Sequence, residues 1–406
     1  MKKTVLHGKH AALGANVAPF AGWEMPLWYK AGAIKEHLAV VKAAGVFDTS
    51  HMDVIFVSGA NARAFLNYAY TKDIARLGIG RCGYGAFLAE NGNCIDDAIV
   101  YPLAEDRFAV VLNAGMAEPV CRHLETLPGR DGVSVSPVVP RLAKIDIQGP
   151  ASVRLVANLL GGAAESVFEK FPYFSFKGEF DLSRSDIRLD DGTPVLLSRT
   201  GYTGEVGFEL FLPLDTAEAI WDRVLADGEN MGVLPCGLAA RDSLRTGAVL
   251  PLSHQDIGPW PFVNHPWPFA LPLNEDGTFG KDFFGREALH PETTPHTLPF
   301  VGFDPRRVEP ADAKVLRDGA EIGGITTIVS DMAMGRVDGV AQSLSSPGIP
   351  ENWSPRGLAC GFVRVREKLA PGTAVVLKDA RREITVEIAA DIRPARTARK
   401  KLSSFL

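Results

Sequence analysis

Asn91-Gly92 separates two β segments, Tyr84 to Glu90 and Asn93 to Tyr101, and a dipeptide of this kind is the strongest hairpin signal in the chain. A third β segment, Arg107 to Asn113, follows. Further on, a strand over Ala143 to Gln148 runs into Gly149-Pro150 and a helix over Ala151 to Leu160, and a second hairpin-like pair, Val195 to Arg199 with Gly207 to Leu212, brackets the loop from Thr200 to Glu205. Local antiparallel pairs interspersed with single helices read as α+β, not as a parallel repeat.

Helical spacing of Ile34, Leu38 and Val41 predicts a helix over Ala33 to Ala44 that ends at Gly45. Helices are also expected over Ala60 to Tyr70 and Thr216 to Ala226, the latter capped by Asp215 or Thr216. Residues 251 to 300 are rich in Pro, Trp and Phe and read as a passage between domains. From about Thr297 the pattern is β: Val315 to Leu316 before the Asp318-Gly319 turn, then Ile322 to Ile328, Leu358 to Val365, Val375 to Lys378 and Glu383 to Ala389. Ser343 to Pro355 reads as a long loop.

At about 150 residues per domain, 406 residues predict two to three domains. Hydrophobic residues at 46% and charged residues at 22% are those of a globular chain that buries a sizeable core. The net charge of −5, without a run of like charges, argues against a nucleic-acid or membrane arm. Five cysteines in no ligand or pairing pattern support neither a disulfide framework nor a metal site, and a reducing cytoplasm fits them best. No signal peptide and no membrane helix is read in the chain.

Asp96-Asp97 is the most informative pair of charges. Alternation places Asp97 with Ile95, Ile99 and Tyr101, and Asp96 with Cys94, Ala98 and Val100. A carboxylate among bulky apolar neighbours is costly to bury, which suits either a positioned acid or base or a pairing with a surface cation. Glu209 alternates with Gly207 and Phe211 beside a glycine-rich loop that could shape a pocket mouth or merely connect strands. Arg241 and Arg245 share one helix face, suited to an anionic ligand or to structural pairing with Asp242 or Asp48. Gly78-Ile-Gly-Arg-Cys-Gly83 matches a dinucleotide fingerprint, but a hairpin follows it where a helix is needed, so it reads as a turn. His51 reads as structural, and no nucleophile or metalloprotease motif occurs.

Several ordered blocks together resemble the aminomethyltransferase family, that of the T-protein of the glycine cleavage system. They are Phe20-Ala-Gly-Trp-Glu-Met-Pro-Leu27, Gly45-Val-Phe-Asp-Thr-Ser-His-Met52, Gly92 to Tyr101, Val111-Leu-Asn-Ala114, Gln148-Gly-Pro150, Ser198-Arg-Thr-Gly-Tyr-Thr-Gly-Glu-Val-Gly-Phe-Glu209 and Gly237-Leu-Ala-Ala-Arg-Asp242. The resemblance implies an α+β, three-domain cloverleaf with a C-terminal β-barrel or jelly-roll domain. Residues 1–51 with 143–255 would form domain one, 52–142 with 256–288 domain two, and 289–406 domain three.

It also implies transfer of a one-carbon unit to tetrahydrofolate from the lipoyl arm of an H-protein, with release of ammonia. By motif position Asp97 would be the catalytic residue. Met52, Tyr84, Tyr101, Asn113, Tyr202, Glu209 and Arg241 would bind the folate, with Arg396, or equally Arg399, at its glutamate tail. A cytoplasmic monomer without metal is expected. The chain departs from the family pattern in three places: Thr246-Gly-Ala-Val249 replaces Leu-Glu-Ala-Gly, Ser253-His254 replaces Tyr-Gly, and about twenty residues around Ser330 to Pro350 look inserted. These departures bear on the donor more than on the folate. A folate-dependent demethylase and a non-catalytic folate-binding protein are the alternatives.

Overall fold

The computed structural model describes residues 1–406 except 139, 140, 291–293 and 351. Its strands form three main sheet systems. In the five-stranded antiparallel sheet the order is Gly83–Leu88, Cys94–Ala104, Arg107–Leu112, Asp53–Ser58, Ser134–Pro137. Asn91-Gly92 closes its first hairpin through a three-residue loop: Ala89 N–H donates to Asn93 O at 2.8 Å, and Gly92 takes φ +77°, the left-handed conformation that glycine adopts without strain. This turn sets Asp96 opposite Phe87 and Asp97 opposite Ala86.

The six-stranded sheet runs Phe176–Lys177, Leu196–Ser198, Gly207–Leu212, Ala143–Gln148, Gly45–Asp48, Leu234–Pro235, antiparallel but for the last pairing. Helices Ser152–Leu160 and Ala217–Gly228 pack on it through Val153, Val156, Leu159, Ile220, Trp221 and Val224. Burying six such side chains is worth roughly 10 kcal/mol. The third system is a closed six-stranded barrel of His296–Gly302, Leu358–Val365, Ala320–Asp331, Lys314–Arg317, Ala374–Lys378 and Glu383–Ile388. The fold is thus α+β with a C-terminal barrel, as the sequence implied.

Four local expectations are corrected. Helix Ala33–Lys42 does not bury Ile34, which is exposed; it buries Glu36 and His37 instead. Glu36 accepts from the backbone N–H groups of Tyr29 (2.6 Å) and Gly237 (2.9 Å), and His37 meets Ser243 and Asp331, so buried hydrogen bonds set the helix rotation. Gly45 does not cap that helix. It opens the following strand, where a Cβ would lie 2.4 Å from Val40 Cγ2.

Thr216 is the N-cap residue of helix Ala217–Gly228, but its hydroxyl donates backwards to Pro213 O and not into the helix. Residues 251–300 are more than a passage. Ile257, Phe262, Trp267, Leu271 and Phe283 pack with Val329, Leu358 and Phe362 of the barrel, while residues 291–293 lie outside the described residues. Within the segment thought inserted, Met334–Val337 and Val340–Ser343 pair as a hairpin across Asp338-Gly339, both left-handed. The loop expected over Ser343 to Pro355 follows directly on that hairpin, and its residue 351 lies outside the described residues.

Candidate active site

A cavity of about 1520 Å³ opens between these units. Its walls come from the Asp96-Asp97 strand, the Glu209 strand, helix Leu238–Gly247, the loop that follows it, and the C-terminal segment. Asp97, Met52, Tyr84, Asn113, Tyr202, Glu209, Arg241 and Arg396 all line it. Tyr101 does not. It is fully buried behind the wall among Phe176, Phe180 and Phe211, because the strand has by then passed beneath the six-stranded sheet. Its hydroxyl lies 3.3 Å from Ser198 Oγ, which meets Thr200 Oγ1 at 2.8 Å, and Thr200 donates to Glu209 at 3.0 Å. Tyr101 thus touches the site through two hydroxyls.

On one wall, strand alternation turns Asp97 to the cavity and Asp96 into the interior. The burial expected of Asp97 falls on Asp96, which has no exposed surface. Asn113 spans the two carboxylates, its Nδ2 donating to Asp96 Oδ1 at 2.8 Å and Asp97 Oδ1 at 2.9 Å, while its backbone N–H donates to Asp96 Oδ2. Tyr84 donates to Asp97 Oδ2 at 2.8 Å. Burial, reinforced by the neighbouring Asp97, pushes the Asp96 carboxyl up to about 8. His254 stands 3.8 Å from Asp96 Oδ1 with φ +62°, a left-handed conformation costing a non-glycine residue about 1 kcal/mol.

The opposite wall carries a balanced set of charges. Lys144 reaches Asp146 at 2.6 Å and Glu209 at 3.1 Å, and Arg241 reaches Asp146 at 3.0 Å. Burial alone would raise Asp146, but Lys144 and Arg241 hold it below the usual carboxylate range, whereas burial keeps Glu209 above it against the same cations. Arg241 also lies over the Tyr202 ring at 5.0 Å. Arg245, its neighbour on the helix, is fully buried and committed to Asp242 and Asp256. Asp48, the other partner considered for these arginines, pairs instead with His10 at 2.9 Å.

Sequence reasoning missed Lys144 and Asp146. They alternate with Ile145 and Ile147 as an outward polar face would, yet all six residues of Ala143–Gln148 are buried. Gly201 and Gly207 are where they are because a Cβ at either would strike the Gln148 amide, at 2.0 and 2.5 Å. His51, read as structural, lines the cavity; burial holds its imidazole down at about 4, hence neutral, and its Nδ1 finds no partner among the described residues. At the rim, Arg396 is tied to Asp391, Gly247 O and Arg393 O, while Arg81 and Arg399 make no ion pair among the described residues. No group of three potential metal ligands occurs among the described residues, and none of their helices is long and apolar enough to cross a membrane.

Comparison with known proteins defines the class. The family model described as "GCVT N-terminal domain" matches residues 6–260. The aminomethyltransferase of Symbiobacterium thermophilum is 37% identical over 292 residues, 71% of this chain and 74% of that protein. That of Streptomyces avermitilis is 35% identical over 390 residues, 94% and 98% of the two chains. The crystal structure of the glycine cleavage system aminomethyltransferase T from Bartonella henselae superposes with a TM-score of 0.76 at 27% identity, covering 98% of this chain and 99% of that one. The chain belongs to the aminomethyltransferase family, and it is a transferase.

Proposed function

We propose that this protein moves an aminomethyl group from a lipoyl-bound donor to tetrahydrofolate and releases ammonia. Family membership supports that reaction over demethylation or non-catalytic folate binding. The carrying observation is Asp97, an acid at the cavity wall with each oxygen already held by one donor, Tyr84 or Asn113. A carboxylate fixed in this way keeps lone pairs for a ligand N–H and stabilises positive charge developing beside it.

The cavity fits a reduced folate, which when bound supplies a nucleophilic ring nitrogen. Met52, Ile99, Val111 and Phe174 give an apolar slot. Glu209, oriented by Lys144 and Thr200, presents an acceptor pair to the adjacent amino and ring N–H groups of a pterin. Arg81 and Arg399 suit the anionic tail, with Arg396 contributing less because its guanidinium is engaged elsewhere. Tyr101 acts on Glu209 from behind the wall. The division into three domains at the boundaries given above is proposed too, supported by the separation of the sheets. The proposed setting is a cytoplasmic monomer serving a lipoylated H-protein, and the free state of all five cysteines supports a reducing compartment.

The test is to mix the protein with tetrahydrofolate and an aminomethyl-loaded lipoyl protein. Ammonia and methylenetetrahydrofolate are expected. Methyltetrahydrofolate formed only from methylated small molecules, or folate binding without turnover, would replace this reading with one of the alternatives.

A further inference from the structure

Asp96 is sealed from solvent, yet a buried acid that changes protonation during turnover needs a route for its proton. Its immediate contacts are Asn113, Ser253 and His254. Among the described residues His254 is the one basic side chain within 4 Å of either carboxylate of the pair. Its side chain is 55% exposed and lines the cavity, so one imidazole touches both solvent and the buried acid. It makes no other hydrogen bond or ion pair among the described residues, and it holds a backbone conformation that favours glycine. Packing therefore gives no reason for a histidine here.

We propose that His254 is the proton relay of the Asp96–Asp97 pair, a positioning residue that acts through Asp96 and not on the transferred carbon. This rests on the transferase reading above. The 3.8 Å separation is too long for a direct hydrogen bond, and a small rotation of the exposed ring closes it. In the relay the Nε2–H bond of the imidazolium breaks, its electron pair stays on nitrogen, and the proton adds to Asp96 Oδ1; solvent then reprotonates the ring at its exposed edge. Neutralising Asp96 removes the like charge beside Asp97, which keeps that carboxylate ionised beside the positive charge that develops at the reacting centre.

The other titratable groups facing the pair are Tyr84, Tyr70, Tyr202 and Cys94. Burial raises all four above their ordinary values, so they stay neutral. Asp96 and the imidazole 3.8 Å from it are then left as the pair between which the proton passes.

Two measurements on the full chain test it. In 15N-histidine NMR the His254 ring signal, assigned with His254→Gln, should show a second inflection near pH 8 that disappears in Asp96→Asn. In single-turnover assays with tetrahydrofolate and the aminomethyl-lipoyl protein, His254→Gln should slow transfer about tenfold, with recovery on adding free imidazole. His254→Gly, which relieves the left-handed backbone, should fold and behave alike. A single-inflection curve unchanged by Asp96→Asn, or wild-type rates in both variants, overturns the relay. A coupled titration in a protein that transfers nothing from any donor supports the relay and removes the transferase reading instead.

Discussion

Each side of the cavity has one lining carboxylate and a second buried behind it, and the two pairs are treated in opposite ways. On the Glu209 side, Lys144 and Arg241 match Asp146 and Glu209 charge for charge. On the Asp97 side neither acid has a lysine or arginine within 4 Å among the described residues, and neutral donors with one exposed histidine take their place. A balanced quartet holds its charges as fixtures, because discharging any one leaves a buried charge unpaired. An unbalanced pair sheds charge by taking up a proton. The first arrangement suits recognition and the second suits proton transfer.

Breaking the balanced side should have the largest effect. Lys144→Met strands Asp146 and Glu209 without their shared cation and should destabilise the fold by about 3–5 kcal/mol, read as a drop in denaturation midpoint. An unchanged midpoint would mean that the quartet is not the fixture described.

Next comes the pH dependence of stability. Because folding raises the Asp96 carboxyl from its ordinary value near 3.8 to about 8, the folded chain binds the extra proton and stability falls as pH rises between those values. Asp96→Asn should flatten that decline by about 4 kcal/mol between pH 5 and 9. Equal slopes for variant and wild type would show that the acid is not buried as a neutral group.

The smallest effect is expected of Arg241→Lys. It keeps the charge toward Asp146 but loses the planar contact over Tyr202, which should weaken folate binding by about 1 kcal/mol in calorimetry. A loss as large as that from removing the charge altogether would assign Arg241 a direct ionic contact with the ligand.

The chain announced one wall far better than the other. Asn91-Gly92 and the alternation around Asp97 located that strand and the side of it that faces the cavity, because turn chemistry and period-two patterning are local. Lys144 and Asp146 gave no such sign. Their polar alternation is what an exposed face would show, and only tertiary packing buries it. Glu36 and His37 misled for the same reason, since long-range hydrogen bonds, not apolar spacing, rotate their helix. The Asp338-Gly339 turn was readable by the rule that identified Asp318-Gly319, and both are left-handed. Tyr101 shares the parity of Asp97 yet lies beyond the cavity, a matter of where one sheet slides under another that no spacing records.

The division of labour between the walls is tested most directly by measuring folate affinity and saturated single-turnover rate for Asp97→Asn and Glu209→Gln side by side. Asp97→Asn should lose at least about a hundredfold in rate while its affinity stays within a few-fold, and Glu209→Gln should lose about tenfold in affinity while transferring at nearly the wild-type rate once saturated. If the two variants instead lose rate and affinity in the same proportion, the walls do not divide the work and the account is wrong.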